Sequence, residues 1–184
     1  MDVQQEQEQQ DRFSVLSLDE SFFFYDSLVR RVWIDKEKRP IVRVTNSHKH
    51  SCIFGVISMD GNKQLFRQYD VFNADTFLDY LKKIHTKFPK CYLFMDKASL
   101  PHYKSRKVLK YFEENKDTLI PIYLPTTASP EFMVMKEVWN IAKRDLLVLQ
   151  YYSSFADLKE KISGYFRTKR FNLVMRNYLL RGTI

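Results

Sequence analysis

The sequence predicts a single α/β domain: a mixed sheet laid down as an antiparallel meander, then as alternating helix and strand, and flanked by helices. Three observations predict it. The first third is a series of short β-branched and aromatic runs separated by turn residues. The texture then switches to amphipathic helical patterns alternating with continuous apolar runs. The last third is helical throughout. Strands that alternate with helices after a meander give a sheet covered on both faces.

The elements follow in order. Residues 1–12, MDVQQEQEQQDR, are polar and Gln/Glu-rich and are expected as a flexible tail, leaving residues 13–184 as the domain. Residues 13–18 alternate apolar and polar and deliver Asp19 and Glu20 at their end. Further strands are expected at 22–25, 29–34, 41–44, 52–59 and 64–69, with breaks at 35–40 and at Asp60-Gly61, a hairpin signal. Asn73 or Asp75 can cap a helix over 76–88, whose apolar stripe is Phe77, Leu78, Leu81 and Ile84. Pro89 stops it, and residues 91–95 form a continuous apolar strand ending at Asp96. A second amphipathic helix over 105–115 is expected to bury Val108, Leu109 and Phe112, and 119–124 to be another buried strand. After a loop at 125–130, helices are expected over 132–149, 155–167 and 172–180.

Composition sets the outer limits. The chain has 184 residues, 45% hydrophobic and 15% aromatic, enough apolar material for one real core. A net charge of +8 and a pI near 9.4 favour phosphate-rich partners. No stretch approaches the roughly 20 apolar residues of a membrane span, and no signal peptide opens the chain, so a cytoplasmic protein without membrane contact is expected. Cys52 and Cys91 lie in separate apolar runs and read as buried reduced thiols. A Ser-His-Asp or Cys-His catalytic set has no patterned support. His48 and His50 have no acid or Cys spaced to share a metal, so a solvated turn is expected there.

The chemistry gathers at Asp19, Asp96 and the stretch LPTTASPEFMVMKEVW at 124–139. Two acids at the ends of apolar strands, with a loop feeding a helix, are the layout of a metal-dependent nucleic-acid enzyme. Strand ends in such sheets are where ligands collect. A pair of Mg²⁺ or Mn²⁺ ions about 4 Å apart can clamp the attacking and leaving oxygens of a phosphodiester, held by two or three carboxylates. His102, Lys104, Arg106 and Lys107 follow Asp96 and would contact a DNA backbone, as would Arg30 and Arg31 beside Trp33.

These contexts resemble the DDE transposases of the Tc/mariner superfamily, in their prokaryotic insertion-sequence branch. LDESFF is similar to the family's first motif, an acid pair closing the first strand. VRRVWIDKEKRPIVRV resembles its Arg-Trp-Pro hairpin, and CIFGVISMDGNKQLF its Gly-containing strands. YLFMDKASLPHYKS resembles the second motif, commonly Asp-Asn-Ala with a nearby His. LPTTASPEFMVMKEVW resembles the third, which ends in an acid three residues before a Trp. The resemblance implies a ribonuclease H-like fold and a two-metal Mg²⁺ or Mn²⁺ site on Asp19, Asp96 and a third acid. It also implies cutting and joining of transposon ends and target DNA, by a homodimer acting at the nucleoid.

The departures are as informative. Lys97 stands for the family's Asn, and His102 lies one position late. Matching Ser129-Pro130-Glu131 forward and Trp139 backward both place Lys136 at the third acid. A protonated lysine cannot ligate Mg²⁺ and repels it. Glu131 and Glu137 are the substitutes nearby. Glu131 requires the loop to fold back; Glu137 falls on the helix side away from the core stripe of Phe132, Met135, Trp139 and Ala142. Two functions remain open: a transposase catalytic domain, or a non-catalytic basic DNA-binding remnant of one. Another ribonuclease H-like nuclease would need the same metals. The tail is too short for the helix-turn-helix modules by which such enzymes read their ends, so these are expected to be absent and the chain truncated or excised.

Overall fold

The computed structural model describes residues 12–28, 43–96, 103–124 and 133–174. Five strands run β1 (Ser14–Phe24), β2 (His50–Ser58), β3 (Gln64–Tyr69), β4 (Cys91–Asp96) and β5 (Leu119–Leu124), in the spatial order β3-β2-β1-β4-β5. β1 pairs antiparallel with β2, and β2 with β3; β4 lies parallel to β1, and β5 parallel to β4. The described helices are α1 (Ala74–Lys87), α2 (Arg106–Glu114), α3 (Val134–Leu147) and α4 (Phe155–Thr168).

The period-two alternation of the strands divides the core in two. Leu16 and Leu18 of β1, Phe54 and Val56 of β2, and Leu93 and Met95 of β4 pack against Phe77, Tyr80, Leu81 and Ile84 of α1 and Val108 and Phe112 of α2. On the other face Phe23, Ile53, Ile57 and Phe66 meet Val134, Met135, Val138, Trp139 and Ala142 of α3 and Leu158, Ile162 and Phe166 of α4. Each full burial of such a side chain contributes about 1.5–3 kcal/mol, so both layers are held by the same apolar pattern that predicts them. Cys52 and Cys91 are free and buried, and burial raises their thiols to about 11 and 12.

The local chemistry sets the helix starts. Asn73, rather than Asp75, caps α1: its side chain accepts from the amides of Asp75 and Thr76, and Thr76 reciprocates in a capping box. Ser105 caps α2, and Ser154 with Asp157 forms a second capping box on α4. α3 starts at Met133 without any side-chain cap.

Several expectations need correction. Residues 13–18 and 22–25 are not two strands but one, so Asp19 lies in the middle of β1 rather than at its end. Its two acids do not break the strand because β2 pairs with it throughout, Asp19 opposite Gly55 and Glu20 opposite Phe54. The expected strand at 29–34 lies outside the described residues; of 41–44, residues 43 and 44 are irregular. Leu109 is 49% exposed, because it lies on the outer side of α2. β5 is an edge strand with Leu119 alone fully buried, not a buried strand. Residues 172–174 are not helical, and the rest of that expected helix is outside the described residues. His50 opens β2 with its ring against Phe22 and Phe24 instead of lying in a solvated turn.

Candidate active site

Sheet register brings the two aspartates together. The β1–β4 pairing runs from Ser14↔Cys91 to Leu18↔Met95, and one step further sets Asp19 beside Asp96. Asp96 is the last residue of β4 and lies opposite Leu124, the last of β5. Asp19 therefore sits in mid-strand at the level where its parallel neighbours end.

α3 crosses this point. Trp139 donates its indole Nε1–H to Asp19 Oδ2 at 3.1 Å. Gly55, paired with Asp19 across β2, makes the close approach possible: a Cβ there would lie 2.6 Å from Met135 Cε and Phe66 Cε1 and 2.7 Å from Trp139 Cη2. Ser17, one pleat before Asp19, points its hydroxyl at Met133 Sδ, 3.9 Å away. Strand, glycine and tryptophan thus fix the Asp19 carboxylate against the start of α3 before any ligand arrives.

The electrostatics follow from that packing. Burial raises Asp19 from its ordinary 3.8 to about 6, opposed by a backbone hydrogen bond, the Trp139 N–H and the charge of Lys136; Asp96 pushes it further up. Lys136, in the first turn of α3, thus projects its positive field onto the aspartate. Glu20 is raised to about 7, again chiefly by burial, and then by the charges of Asp19 and Asp96. It points to the opposite face, where the buried Tyr103 donates its hydroxyl to Glu20 Oε2.

The predicted residues are therefore distributed as follows. Asp19, Asp96 and Lys136 are brought together. Glu137 is a partly buried first-turn residue of α3. Glu131, His102, Arg30 and Arg31 lie outside the described residues. Lys104 and Arg106 are exposed just beyond Tyr103, and Lys107 is paired with Asp75 of α1. Tyr103 belongs to the core and not to the surface cluster in which its sequence neighbours place it. The Glu20–Tyr103 bond and the role of Gly55 were missed; the strand pleat, which turns consecutive acids to opposite faces, was the available signal for the first.

For a divalent ion the donors fit in part. Asp19 and Asp96 offer hard oxygen ligands side by side, as one Mg²⁺ or Mn²⁺ requires. Lys136 sets a positive charge near Asp19, and among the described residues no group of three His, Cys, Asp or Glu side chains could hold an ion.

A mixed five-stranded sheet in the order β3-β2-β1-β4-β5 with helices on both faces is a ribonuclease H-like fold. The chain belongs to the DDE superfamily endonuclease family, whose model matches residues 14–159. Its fold is similar to that of Mos1 mariner transposase. The paired-end complex with Mg matches with a TM-score of 0.64 at 14% identity, over 97% of this chain and 56% of that one. The Mos1 strand transfer complex matches with a TM-score of 0.61 at 15% identity, over 90% and 50%. The isolated Mos1 catalytic domain matches with a TM-score of 0.55 at 14% identity, over 90% and 76%. The chain thus spans about half the length of the Mos1 chains in those complexes. A sequence search of curated proteins finds no match. Among the described residues no helix is long and apolar enough to cross a membrane.

Proposed function

We propose that the chain is the catalytic core of a DNA transposase of the Tc/mariner type, from the insertion-sequence branch, in which Lys136 has replaced the third metal-binding acid. The ordered motifs and the family and fold assignments support the transposase reading. The observation that carries the loss of metal function is the field of Lys136 at Asp19. A divalent ion, when bound, supplies charge neutralisation and an activated oxygen nucleophile at a phosphodiester. Asp19 and Asp96 would hold such an ion, Trp139 fixes the orientation of Asp19, and Lys136 opposes the ion's arrival. The result is a domain that folds, binds DNA and cuts it little or not at all. DNA ends and target DNA are its partners, with a second copy of the chain, in the cytoplasm beside the nucleoid.

Titration of Mn²⁺, followed by its electron paramagnetic resonance signal, tests the reading. The wild-type chain is expected to bind weakly and Lys136→Glu at least tenfold more tightly, with gain of plasmid nicking. Asp19→Asn in the Lys136→Glu background should remove that gain. Equal Mn²⁺ binding by folded wild type and Lys136→Glu overturns the placement of Lys136. Robust nicking by the wild-type chain that is abolished by Glu131→Ala would transfer the third-acid role to Glu131.

A further inference from the structure

A cavity of about 780 Å³ lies away from the carboxylates, between the free edge of β3 and α4. Its lining carries Lys63, Arg67, Lys87, Lys159, Arg167 and Arg170, and a single acid, Asp70. Asp70 is engaged by Lys159. The other five cations have no carboxylate partner among the described residues; Arg67 donates to the carbonyl of Phe66, and Arg170 to the carbonyls of Arg167 and Lys169.

Three separate elements supply these charges, and the fold pins them in place. Gln64, at the start of β3, accepts from the Phe171 amide at 3.1 Å and donates to the Lys169 carbonyl, holding the segment that carries Arg170. Its own carbonyl accepts from Lys87 Nζ at 2.8 Å, holding the end of α1 at the same point. The crowding of like charge is felt there: Lys87 is pushed below its ordinary value, first by burial and then by Arg170, Arg67 and Lys63. Like charges held together without counter-charge are destabilising unless an anion completes them.

We infer that this edge groove binds the phosphate backbone of duplex DNA. The spacing of the charges decides for a polymer over a small anion. Lys63, Arg67, Lys87 and Arg170 gather near Gln64, and the charge continues along α4 from Arg167 to Lys159, roughly 12 Å at about 1.5 Å per residue, farther than a single phosphate reaches. DNA presents a phosphate every ~3.4 Å along each strand of the duplex, so a lane of this length meets about three or four. The groove is distinct from the carboxylate site. Asp19, Gly55 and Phe66 lie in one row across β1, β2 and β3, which sets the groove's near wall about 10 Å from Asp19. Trp139, Phe66 and Phe166, ring against ring, stand between the two. The choice of DNA as the polyanion rests on the transposase reading; the lane itself rests on the charges alone.

The test uses the whole chain and a fluorescent 30-base-pair duplex, with anisotropy measured between 50 and 200 mM KCl. The variant Arg67→Gln/Lys87→Gln/Arg167→Gln/Arg170→Gln changes four exposed side chains, so circular dichroism should show an unaltered fold. A control, Lys82→Gln/Lys83→Gln/Lys110→Gln/Lys116→Gln, removes the same charge from α1, from α2 and from just beyond it. The groove variant is expected to bind at least tenfold more weakly at 100 mM KCl. Its salt slope should be shallower by about 3 to 4, near 0.9 for each phosphate contact removed, and the control should keep most of the wild-type slope. Equal losses in the two variants overturn the groove as a site while leaving the transposase reading intact. Tighter binding of a duplex RNA of the same length overturns DNA as the ligand. Failure of the wild-type chain to bind either duplex overturns the groove outright, and the Mn²⁺ titration then judges the transposase reading separately.

Discussion

Asp19 and Glu20 are consecutive carboxylates on one strand, both raised by burial, and the sheet gives them different work. Asp19 faces α3, where it meets a rigid N–H donor and the charge of Lys136. Glu20 faces the α1–α2 layer, where it meets a buried tyrosine hydroxyl. The first is positioned as a ligand would be, beside a second acid where β4 and β5 end. The second is a buried group satisfied by a neighbour. The difference teaches that Glu20 does not share the site of Asp19 and Asp96, despite adjoining Asp19 in sequence. The pleat points it through the sheet to the other side.

The largest way to break this comparison is to remove the ring that holds Asp19. Trp139 is 5% exposed and packs edge-on to Phe23, Phe66 and Phe166. Trp139→Ala should cost about 3–5 kcal/mol in urea unfolding, from the lost ring and the cavity it leaves. A loss below about 1 kcal/mol would mean that α3 does not seat Trp139 against the sheet, and the ordered half of the comparison would fail.

That dependence also explains what was legible in the sequence. Phe77, Leu81 and Ile84 at helical spacing, and the Met135–Trp139–Ala142 stripe, reveal the layers because burial follows periodicity. Asp19 and Asp96 are legible as partners because each closes an apolar run and the motif order adds to it. The register that brings them together was not, because parallel pairing of β1 with β4 is decided across the fold and leaves no local mark. The length of β1 was obscured for a related reason: Asp19 and Glu20 resemble a turn locally, and only continuous pairing to β2 shows them to be mid-strand. Gly55 was equally silent, since its lack of a Cβ matters only once Trp139 and Phe66 arrive.

A smaller effect, shared by both sides of the comparison, is the dependence on pH. Folded Asp19 titrates at about 6 against an ordinary 3.8, and Glu20 at about 7 against 4.5. Between those limits the folded chain holds more protons than the unfolded one, so stability falls as pH rises from about 4 to 7. Asp60 and Asp79, held below 3.8 by Ser58 and Lys83, act in the opposite sense but only below that value. In metal-free buffer the thermal midpoint should therefore be higher at pH 5 than at pH 7.5. The difference should be equivalent to a few kcal/mol, since each tenfold change in proton affinity is worth ~1.4 kcal/mol. Asp19→Asn with Glu20→Gln should remove most of that slope. A midpoint that rises steadily from pH 5 to 7.5 would show that neither carboxylate is buried as described.

The smallest effect isolates the Glu20 side. Tyr103→Phe removes one hydroxyl and keeps the ring that packs edge-on against Phe77 at 4.4 Å between centroids. The hydroxyl donates to Glu20 and lowers its affinity for a proton. Its loss should cost about 1.5–3 kcal/mol above pH 7, where Glu20 is charged, and nearer 1 kcal/mol at pH 5, where the carboxyl is neutral. The variant's Mn²⁺ affinity should stay within twofold of wild type, because Glu20 faces away from Asp19 and Asp96. A tenfold change in that affinity would place Glu20 in the metal shell after all, and the two faces of β1 would then form one site.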